Sequence, residues 1–486
     1  MNEEQETAIL RILNDSNEWW LKGAVSAEKN APYKRKDYYK LTQELGEPRI
    51  NAIIGPRQVG KTTLMHQLIQ FLIENRKTPP NHMAYIQLDT VLNQPNLKDT
   101  TIDEILNAYS KNIAKKPLNE LKETTYFFLD EVQKVKDWPN QLKILFDRKL
   151  KIKFTVSGSS SNNILKGSAE ALTGRLSINI LMPLKFIDFY CYPKENPEIT
   201  AIGLNLRKSL ENSITRNNPQ LFYEQAQQAN KELIGISEDI QIKLEKYLVA
   251  GGYPLTLKKE GITSISKELY DYAFLSIYRD IVMLFEIRNA QEINQLLVLI
   301  AQESPHTESY ESIGKELNMQ AATVKKYLGH LEDIFLITQS SQHTKNVRKR
   351  QKSLKKIYIL DNGIRNALLG KLNDNTPSDF QEMGALAETT LNNHLRRLKF
   401  NIEKTPNPQI DYWKNGHEID NVVTLSSKPI PIECKYKNDI TPKDIKGLKE
   451  FGEKFKPPMS IIITKNTIKK EDEILFVPLW LFLLAC

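Results

Sequence analysis

The segment Gly55–Thr63, with the sequence GPRQVGKTT, carries the residue types that bind the phosphates of a nucleotide. It fits the pattern G-x-x-x-x-G-K-[ST], in which backbone N–H groups surround the phosphates, the lysine reaches the β- and γ-phosphates and the hydroxyl holds Mg²⁺. We therefore expect Lys61 to contact ATP and Thr62 to bind Mg²⁺. The other residues of this predicted ATP site are Gly55, Pro56, Arg57, Gln58, Val59, Gly60 and Thr63.

Two consecutive acids, Asp130 and Glu131, end the apolar run Tyr126–Leu129. An acid in this place holds the Mg²⁺ shell, and a second acid polarises the attacking water. We assign the first role to Asp130 and the second to Glu131, because a consecutive Asp-Glu pair favours hydrolysis over passive nucleotide binding.

Three further residues are candidates for contact with the γ-phosphate. Ser157 or Ser159 follows the next apolar run and is placed to sense the phosphate, unless the segment is an ordinary serine-rich turn. Arg175 precedes another short apolar run, where an arginine acts as a finger on a neighbouring subunit or is simply a surface residue.

A second set of acids lies near the end of the sequence. Glu388 falls on the apolar stripe of a predicted helix, where a carboxylate is costly unless it is paired or binds a cation. Asp420 lies on a predicted strand, and a hairpin turn leads to a second strand with Glu433 and Lys435. The constellation predicts a hydrolytic site in which Asp420 and Glu433 hold Mg²⁺ or Mn²⁺ and the lysine orients water. It resembles the PD-(D/E)xK nuclease site of restriction enzymes and archaeal junction resolvases.

Basic residues cluster just before these acids. Residues 309–337 read as helix–turn–helix, and the second helix exposes Gln320, Thr323 and His330 on the face that also carries two lysines. A basic run then follows that resembles the wing of a winged helix. The predicted nucleic-acid-binding residues are Lys325, Lys326, Lys345, Arg348, Lys349, Arg350, Lys352, Lys355 and Lys356. The alternative is a protein-packing module with a solvated charged face.

The predicted ATP site requires particular secondary-structure elements on either side of it. The nucleotide segment needs a strand before it and a helix after it, which Ile50–Ile54 and the leucine repeat at Leu64, Leu68 and Leu72 supply. Short apolar runs alternate with amphipathic stretches through residues 46–190, which predicts an α/β fold with a parallel sheet.

The motifs GPRQVGKTT, YFFLDEVQ, VSGSSS, LTGRL, MPLKFIDFY and GGYP occur in the order found in a family of archaeal and bacterial AAA+-like P-loop ATPases, which the chain resembles. The resemblance implies an AAA+-type core, a winged-helix segment and a C-terminal nuclease-like domain of the restriction-endonuclease type. The expected divisions are a helical lead-in at 1–45, the ATPase at 46–190, a helical lid or linker at 191–300, the winged-helix-like segment at 301–357 and the nuclease-like domain at 358–486.

Composition sets the remaining limits. The chain has 486 residues and a formal net charge of +8, which leans toward an anionic partner without the excess of a histone. Its three cysteines are far apart, so neither a disulfide framework nor a zinc site is predicted. The apolar C-terminal segment is too short to span a bilayer. We expect a cytoplasmic protein with no membrane partner.

The leading hypothesis is a DNA-binding ATPase that translocates or remodels DNA, including branched DNA such as Holliday junctions, in repair or recombination. It would work as a homo-oligomer, most simply a hexameric ring, and its nuclease-like domain would bind and could cleave the DNA. A nucleotide-dependent signalling or defence switch is the alternative. A third hypothesis is a transcription regulator that uses the winged helix.

Overall fold

The computed structural model describes residues 1–160, 171–259, 261–287, 289–344, 346–373, 375–403 and 408–486. Contacts within the chain divide it into two compact units, Met1–Met182 and Pro183–Cys486. Each unit has its own sheet, and the predicted ATP site and the predicted nuclease site lie in different units.

The first unit contains a five-stranded parallel sheet, which agrees with the predicted α/β fold. Its strands stand in the order β2-β3-β4-β1-β5, and every neighbouring pair is parallel. The strands are β1 (Ile50–Ile54), β2 (Met83–Gln87), β3 (Thr125–Asp130), β4 (Ile152–Gly158) and β5 (Leu176–Ile180). The helices are α1 (Glu3–Ser16), α2 (Trp19–Lys22), α3 (Lys36–Glu44), α4 (Lys61–Glu74), α5 (Leu88–Leu92), α6 (Ile102–Tyr109) and α7 (Trp138–Asp147).

Helices cover both faces of this sheet, as a parallel sheet requires. Successive residues of a strand point to opposite faces. Phe128 of β3 accordingly packs with residues of α4 such as Leu68. Phe127 points the other way, and its ring centroid lies 4.9 Å from that of Tyr109 on α6.

The N-terminal helices protect the β2 edge of the sheet. Asn17 is buried; its amide donates to the carbonyl oxygen of Tyr85 and its side-chain oxygen accepts from the Tyr85 N–H, at 2.8 and 2.6 Å. The indoles of Trp19 and Trp20 both donate to the carbonyl oxygen of Met83. These contacts use backbone groups that an exposed edge strand would offer to another chain.

The second unit begins with helices and ends with a mixed sheet. Its helices are α8 (Phe186–Cys191), α9 (Pro197–Arg216), α10 (Gln220–Glu232), α11 (Ser237–Ala250), α12 (Leu255–Lys258), α13 (Ile262–Leu275), α14 (Val282–Phe285), α15 (Ala290–Glu303), α16 (Tyr310–Glu316), α17 (Ala321–Asp333), α18 (Val347–Lys352), α19 (Asn362–Leu368), α20 (Phe380–Glu403), α21 (Lys446–Phe455) and α22 (Leu479–Leu484). Its strands are β6 (Thr307–Glu308), β7 (Ile337–Gln342), β8 (Lys355–Ile359), β9 (Asp411–Asn415), β10 (His417–Leu425), β11 (Lys428–Cys434), β12 (Ser460–Thr464), β13 (Lys469–Glu471) and β14 (Ile474–Pro478).

The strands of the second unit form one sheet in the order β13-β14-β12-β11-β10-β9-β7-β8-β6. Strands β6 to β8 come from the predicted winged-helix segment, and β9 to β14 come from the predicted nuclease-like domain. The two sets are joined by a short parallel pairing of β7 with β9, at Ser341 with Asp411 and Gln342 with Tyr412. The strands of the predicted winged-helix segment are therefore part of the larger sheet.

Helices α16 and α17 have the helix–turn–helix arrangement that the sequence suggests. The turn between them contains Asn318 with φ of +53°, a left-handed conformation that asparagine adopts more easily than most residues. Val324 and Leu328 of α17 are buried with Ile313 of α16. One residue of the expected outward face differs, because His330 stacks on Phe285 with ring centroids 3.8 Å apart.

The apolar C-terminal segment is packed inside the second unit. Residues 479–486 are all buried, and the guanidinium of Arg207 donates to the carbonyl oxygen of Ala485 at 2.7 Å. In the described ranges, no helix combines the length and the apolar character that crossing a bilayer requires.

Candidate functional site

The phosphate-binding loop connects β1 to α4 and depends on two glycines. Gly60 has φ of +101°, a conformation that side-chain-bearing residues rarely adopt. A Cβ on Gly55 would lie 2.0 Å from the carbonyl oxygen of Leu181, so only glycine fits there. The loop therefore holds its backbone close to β5 and opens onto the N-terminus of α4, where helix N–H groups attract anions.

Lys61 is buried at the start of α4 and reaches back over the loop. Its Nζ donates to the carbonyl oxygens of Gly55 and Pro56, both at 2.9 Å. Arg35 supports the loop from outside, since its guanidinium donates to the carbonyl oxygen of Val59 at 3.2 Å. Sequence reasoning missed Arg35, because it lies outside the motif and before the sheet. The loop also contains Arg57, Gln58 and Val59, and Thr63 lies in the first turn of α4.

Asp130 ends β3 beside the loop and accepts hydrogen bonds from three hydroxyl groups. Thr62 Oγ1 donates to Oδ2 at 2.6 Å, Tyr85 donates to the same oxygen at 2.8 Å, and Ser157 donates to Oδ1. Thr62 and Asp130, both predicted to bind Mg²⁺, are thus brought together. A hydroxyl and a carboxylate are hard oxygen ligands of the kind that Mg²⁺ prefers, so this donor set fits the ion.

Glu131 follows Asp130 in a left-handed conformation with φ of +58°. Its N–H donates to Ser157 Oγ at 3.0 Å, and its carboxylate accepts from Gln133 Nε2 at 2.5 Å. Gln133 also donates to Ser159 Oγ at 3.2 Å. Ser157 therefore contacts the two acids directly, whereas Ser159 acts on Glu131 through Gln133.

Arg175 does not approach the phosphate loop of its own chain. It precedes β5, and because β5 runs parallel to β1, its backbone lies beside Ile50 at the end of β1 away from the loop. Its side chain forms an ion pair with Asp147, with Nε 3.0 Å from Oδ1. Any contact of Arg175 with a γ-phosphate would have to be made in another copy of the chain.

The acids of the second unit also converge. Asp420 of β10 lies directly opposite Glu433 of β11, because Asn421 pairs with Ile432 in antiparallel register. The pairing of β10 with β9 places an extra residue between Ile419 and Val422. Such a bulge redirects side chains, and it falls at Asp420. We call Glu388, Glu418, Asp420 and Glu433 the acidic cluster.

A lysine of strand β8 lies at the centre of the acidic cluster. The Nζ of Lys356 is 2.8 Å from Glu388, 2.8 Å from Glu418 and 3.0 Å from Asp420, and its side chain is 3% exposed. The sequence placed Lys356 among exposed nucleic-acid-binding residues. The structure removes it from that set, because strand β8 turns its side chain inward. Tyr358, on the same strand, donates to Glu388 at 3.0 Å.

Lys435 contacts the other side of the cluster, with its Nζ 2.5 Å from Glu433. Burial, followed by the charge of Asp420, raises the pKa of Glu433 to about 8 and that of Glu388 to about 7. Burial also acts to raise the pKa of Asp420, but the ammonium groups of Lys356 and Lys435 outweigh it and hold that pKa below its ordinary value. Among Glu388, Asp420 and Glu433, Asp420 therefore holds its negative charge most strongly.

The acidic cluster does not fit the predicted metal ion. Mg²⁺ and Mn²⁺ need several oxygen ligands around one point. Lys356 lies at the point where the carboxylates converge. Across the parts of the chain that the structure describes, no group of three or more His, Cys, Asp or Glu residues has the arrangement of a metal site.

Five other predicted nucleic-acid-binding residues are exposed to solvent. We define the basic face as Lys325, Lys326, Arg348, Lys349 and Lys352, which are all exposed.

Two further candidate nucleic-acid-binding residues make contacts within the second unit. Arg350 pairs with Asp411 at 2.6 Å, and Lys355 donates to Ser341 Oγ at 3.0 Å. Burial is the main cause that lowers the pKa of Lys355, and the charges of Arg350 and Lys325 add to it. Lys345 lies outside the described residues.

Residues 47–190 match the family of the AAA domain. Residues 241–375 and 383–482 match two families described as domains of unknown function, DUF8612 and DUF4143. Two proteins of Methanocaldococcus jannaschii, both described as uncharacterized, are each 27% identical. One matches over 71% of this chain and 68% of its own length, and the other over 80% and 76%.

Among solved structures, a Walker-type ATPase of Pyrococcus abyssi aligns with a TM-score of 0.35 and 13% identity, over 70% of this chain and 96% of that one. The domain match and the geometry of Lys61, Thr62 and Asp130 agree with each other. The phosphate-binding site therefore belongs to an AAA-like P-loop ATPase domain.

Proposed function

We propose that the protein is an ATP-driven DNA-binding machine that moves along or remodels DNA. The observation that carries the ATPase part is the 2.6 Å hydrogen bond between Thr62 and Asp130, because it brings the two predicted Mg²⁺ ligands together beside the phosphate loop. When bound, Mg²⁺ neutralises charge on the β- and γ-phosphates. Lys61 supplies a positive charge on the same side.

Glu131 is the proposed base that orients the attacking water. Its position is fixed from two sides, by Ser157 at its N–H and by Gln133 at its carboxylate. For hydrolysis, the carboxylate must leave Gln133 or share its oxygens with water. Gln133 is therefore placed to restrain the base until a partner changes its position.

We further propose that hydrolysis takes place between copies of the chain, which are most simply arranged as a ring of six. The support is the position of Arg175, whose guanidinium lies at the end of the sheet away from its own phosphate loop. A finger role requires that Arg175 exchange Asp147 for a γ-phosphate of the neighbouring copy.

The basic face is the proposed DNA contact. Its five residues come from α17 and from the segment that follows β7, and they are exposed. Lysine and arginine contacts to phosphates give affinity without reading base sequence. DNA form, such as a branch, would be selected by how several such surfaces are arranged in an assembly.

The C-terminal part is proposed to be nuclease-like in fold and to bind DNA without cutting it. Its support is the pairing of Asp420 with Glu433 on adjacent strands and the approach of Glu388 from α20. We do not propose that this part cleaves DNA, because the acidic cluster does not fit the metal ion that cleavage uses.

A nucleotide-dependent switch is the second candidate, and the restraint of Glu131 by Gln133 favours it. A base that is held away from water gives slow turnover, so that bound ATP rather than repeated hydrolysis sets the state of the protein. The wing is built into the larger sheet through β7 and β9, which suits a docking module as well as a DNA-binding one.

The test is the rate of ATP hydrolysis by the full chain without DNA and with single-stranded, duplex and four-way-junction DNA, each at low and moderate salt. A DNA-driven machine predicts stimulation that depends on the form of DNA and fades with salt. A slow rate that no DNA changes would reject the machine and favour the switch.

A charge-matched pair of variants isolates the basic face. Replacing Arg348, Lys349 and Lys352 with alanine should weaken DNA binding and reduce the salt slope by roughly 3. Replacing the exposed residues Lys208, Arg216 and Lys231 with alanine removes the same charge from helices α9 and α10. Equal losses in the two triple variants would show that net charge, and not the basic face, attracts DNA.

A further inference from the structure

We propose that Lys356 is a built-in cation that takes the position of a metal ion in the acidic cluster and joins the wing to the strands that carry the acids. The proposal does not rest on the ATPase, because it concerns only contacts within the second unit. It assigns the predicted nuclease site a structural role in place of a catalytic one.

The ammonium of Lys356 is saturated by the cluster. A lysine ammonium has three N–H donors and no acceptor. The three carboxyl groups of Glu388, Glu418 and Asp420 lie 2.8, 2.8 and 3.0 Å from Nζ, so the number of acids around the ammonium equals its number of N–H donors. A group in this position satisfies the acids in the way a bound cation would.

The remaining oxygens of the central pair are also occupied by donors of the chain. Asp420 Oδ2 accepts from the N–H of Cys434 at 3.1 Å, while Oδ1 faces Lys356. Glu433 Oε2 accepts from the N–H of Asp420 at 3.2 Å, while Oε1 faces Lys435. A divalent ion would have to displace at least one ammonium to gain two carboxylate ligands.

Electrostatics opposes such an exchange. A divalent ion and an ammonium within about 4 Å repel strongly at the low effective dielectric of a buried site. Lys356 is 3% exposed, and β8 holds its backbone by pairing with β7 at Ser340. The side chain cannot reach solvent without opening the sheet around it.

Lys356 also connects the basic segment, residues 348–356, to the elements that carry the acids. It extends from β8 to carboxylates on α20 and β10. Arg350 makes a second link, because its pair with Asp411 joins the basic segment to β9. Three residues of the basic face, Arg348, Lys349 and Lys352, thereby lie in a segment that is linked to the acidic cluster and to β9.

The experiment measures binding of Mn²⁺ alone to the nucleotide-free full chain by electron paramagnetic resonance. The proteins are the wild type, Lys356→Met, Lys356→Arg and the double variant Lys356→Met with Asp420→Asn. Methionine keeps an unbranched side chain as far as the ε position and removes the ammonium, whereas arginine keeps the charge. Binding at the phosphate loop is common to all four proteins and cancels in the comparison.

Lys356→Met is expected to gain one Mn²⁺ site that is tighter than any site of the wild type in this unit by about a hundredfold or more. The double variant should lose this site, and Lys356→Arg should not acquire it. Mn²⁺ should also raise the melting temperature of Lys356→Met more than that of the wild type, because the ion replaces the missing charge.

Two results would overturn the proposal. One is a folded Lys356→Met that gains no Mn²⁺ site, since the position of the lysine would then not be a cation position. The other needs no variant of Lys356: a wild-type Mn²⁺ site that Asp420→Asn removes and Asp130→Asn leaves intact would show that the metal binds beside the lysine.

Discussion

The phosphate site and the acidic cluster contain similar residues, but only the donor set of the phosphate site fits a metal ion. Both place a buried aspartate at the end or bend of a strand, with a lysine and a tyrosine hydroxyl nearby. At the phosphate site, Asp130 accepts from the hydroxyls of Thr62, Tyr85 and Ser157. In the cluster, Asp420 receives the ammonium of Lys356.

The lysines explain the difference. Lys61 donates to the carbonyl oxygens of Gly55 and Pro56, so its charge faces the phosphate loop. Lys356 forms ion pairs with acidic side chains, and together with Lys435 it offsets part of the negative charge of the acidic cluster. A carboxylate that is held by hydroxyl groups has no cation beside it and can still bind a metal ion, whereas one that is held by an ammonium is already paired with a cation. Acid content alone therefore does not define a metal site.

The largest expected effect separates the two sites by activity. Lys61→Ala and Glu131→Gln should each reduce ATP hydrolysis by about a hundredfold or more, because each removes a charge that acts on the transition state. Lys435→Met should leave the rate per folded molecule unchanged. Steady-state hydrolysis and nucleotide binding are measured on all three. Normal turnover in Glu131→Gln would contradict the assignment of the base.

The next effect separates the two lysines of the cluster by stability. Lys356→Met should lower the free energy of unfolding by about 3–5 kcal/mol, because it leaves buried carboxylates without their counter-ion. Lys435 is more exposed, at 31%, so Lys435→Met should cost on the order of 1 kcal/mol. Urea unfolding, followed by a probe in the second unit, measures both. Equal losses would mean that Lys356 is no more than one of two similar ion pairs.

Local sequence patterns predict much of the fold. The strand Ile50–Ile54 and the start of α4 at Lys61 lie where the motif requires them. The hairpin between β10 and β11 turns at Ser426 and Ser427, whose positive φ values match a tight two-residue turn. Within the second unit, alternation along these strands was enough to bring Asp420 opposite Glu433.

The parts that sequence did not reveal depend on pairing between distant segments. Lys356 reads as one of a run of basic residues, and its contacts with Glu388 and Asp420 join elements that are far apart in the sequence. Tyr85 reads as an apolar strand residue, although its hydroxyl reaches Asp130. The joint between β7 and β9 involves two residue pairs, which is too short to leave a pattern.

A smaller effect concerns pH. Burial raises the pKa of Glu433 from 4.5 to about 8, so the folded carboxyl holds its proton more tightly than the unfolded one. The stability that this proton contributes is complete below about pH 4.5 and is lost as pH rises toward about 8. Glu388 acts in the same direction up to about pH 7. Asp420, whose pKa is lowered, loses its contribution only on strong acidification.

The measurement is the urea midpoint of the second unit between about pH 5 and about pH 8. The wild type should become less stable as pH rises across this range. Glu433→Gln, which cannot titrate, should show a flatter profile. A profile that rises with pH, or one that the glutamine variant leaves unchanged, would mean that the proton is not held at Glu433.

The smallest expected effects concern Tyr85 and Tyr358. Each of these tyrosines donates a hydrogen bond to an acid of its own site, so the two residues can be compared directly. Tyr85 donates to Asp130 at 2.8 Å, and Tyr358 donates to Glu388 at 3.0 Å. Replacement of either by phenylalanine removes one hydrogen bond to a carboxyl group and keeps the ring, at a cost of about 1 kcal/mol. The cost should appear in different measurements. Tyr85→Phe should change the Mg²⁺ dependence of ATP hydrolysis, because the hydroxyl shares Oδ2 of Asp130 with Thr62.

Tyr358→Phe should lower the unfolding free energy of the second unit and leave the Mg²⁺ dependence of hydrolysis as it is. The hydroxyl of Tyr358 stabilises an ion cluster that already contains its cation, so its loss affects folding alone. If instead Tyr358→Phe created a Mg²⁺-dependent change, or Tyr85→Phe altered only stability, the distinction between a metal-binding aspartate and one paired with an ammonium would fail at the level of single hydrogen bonds.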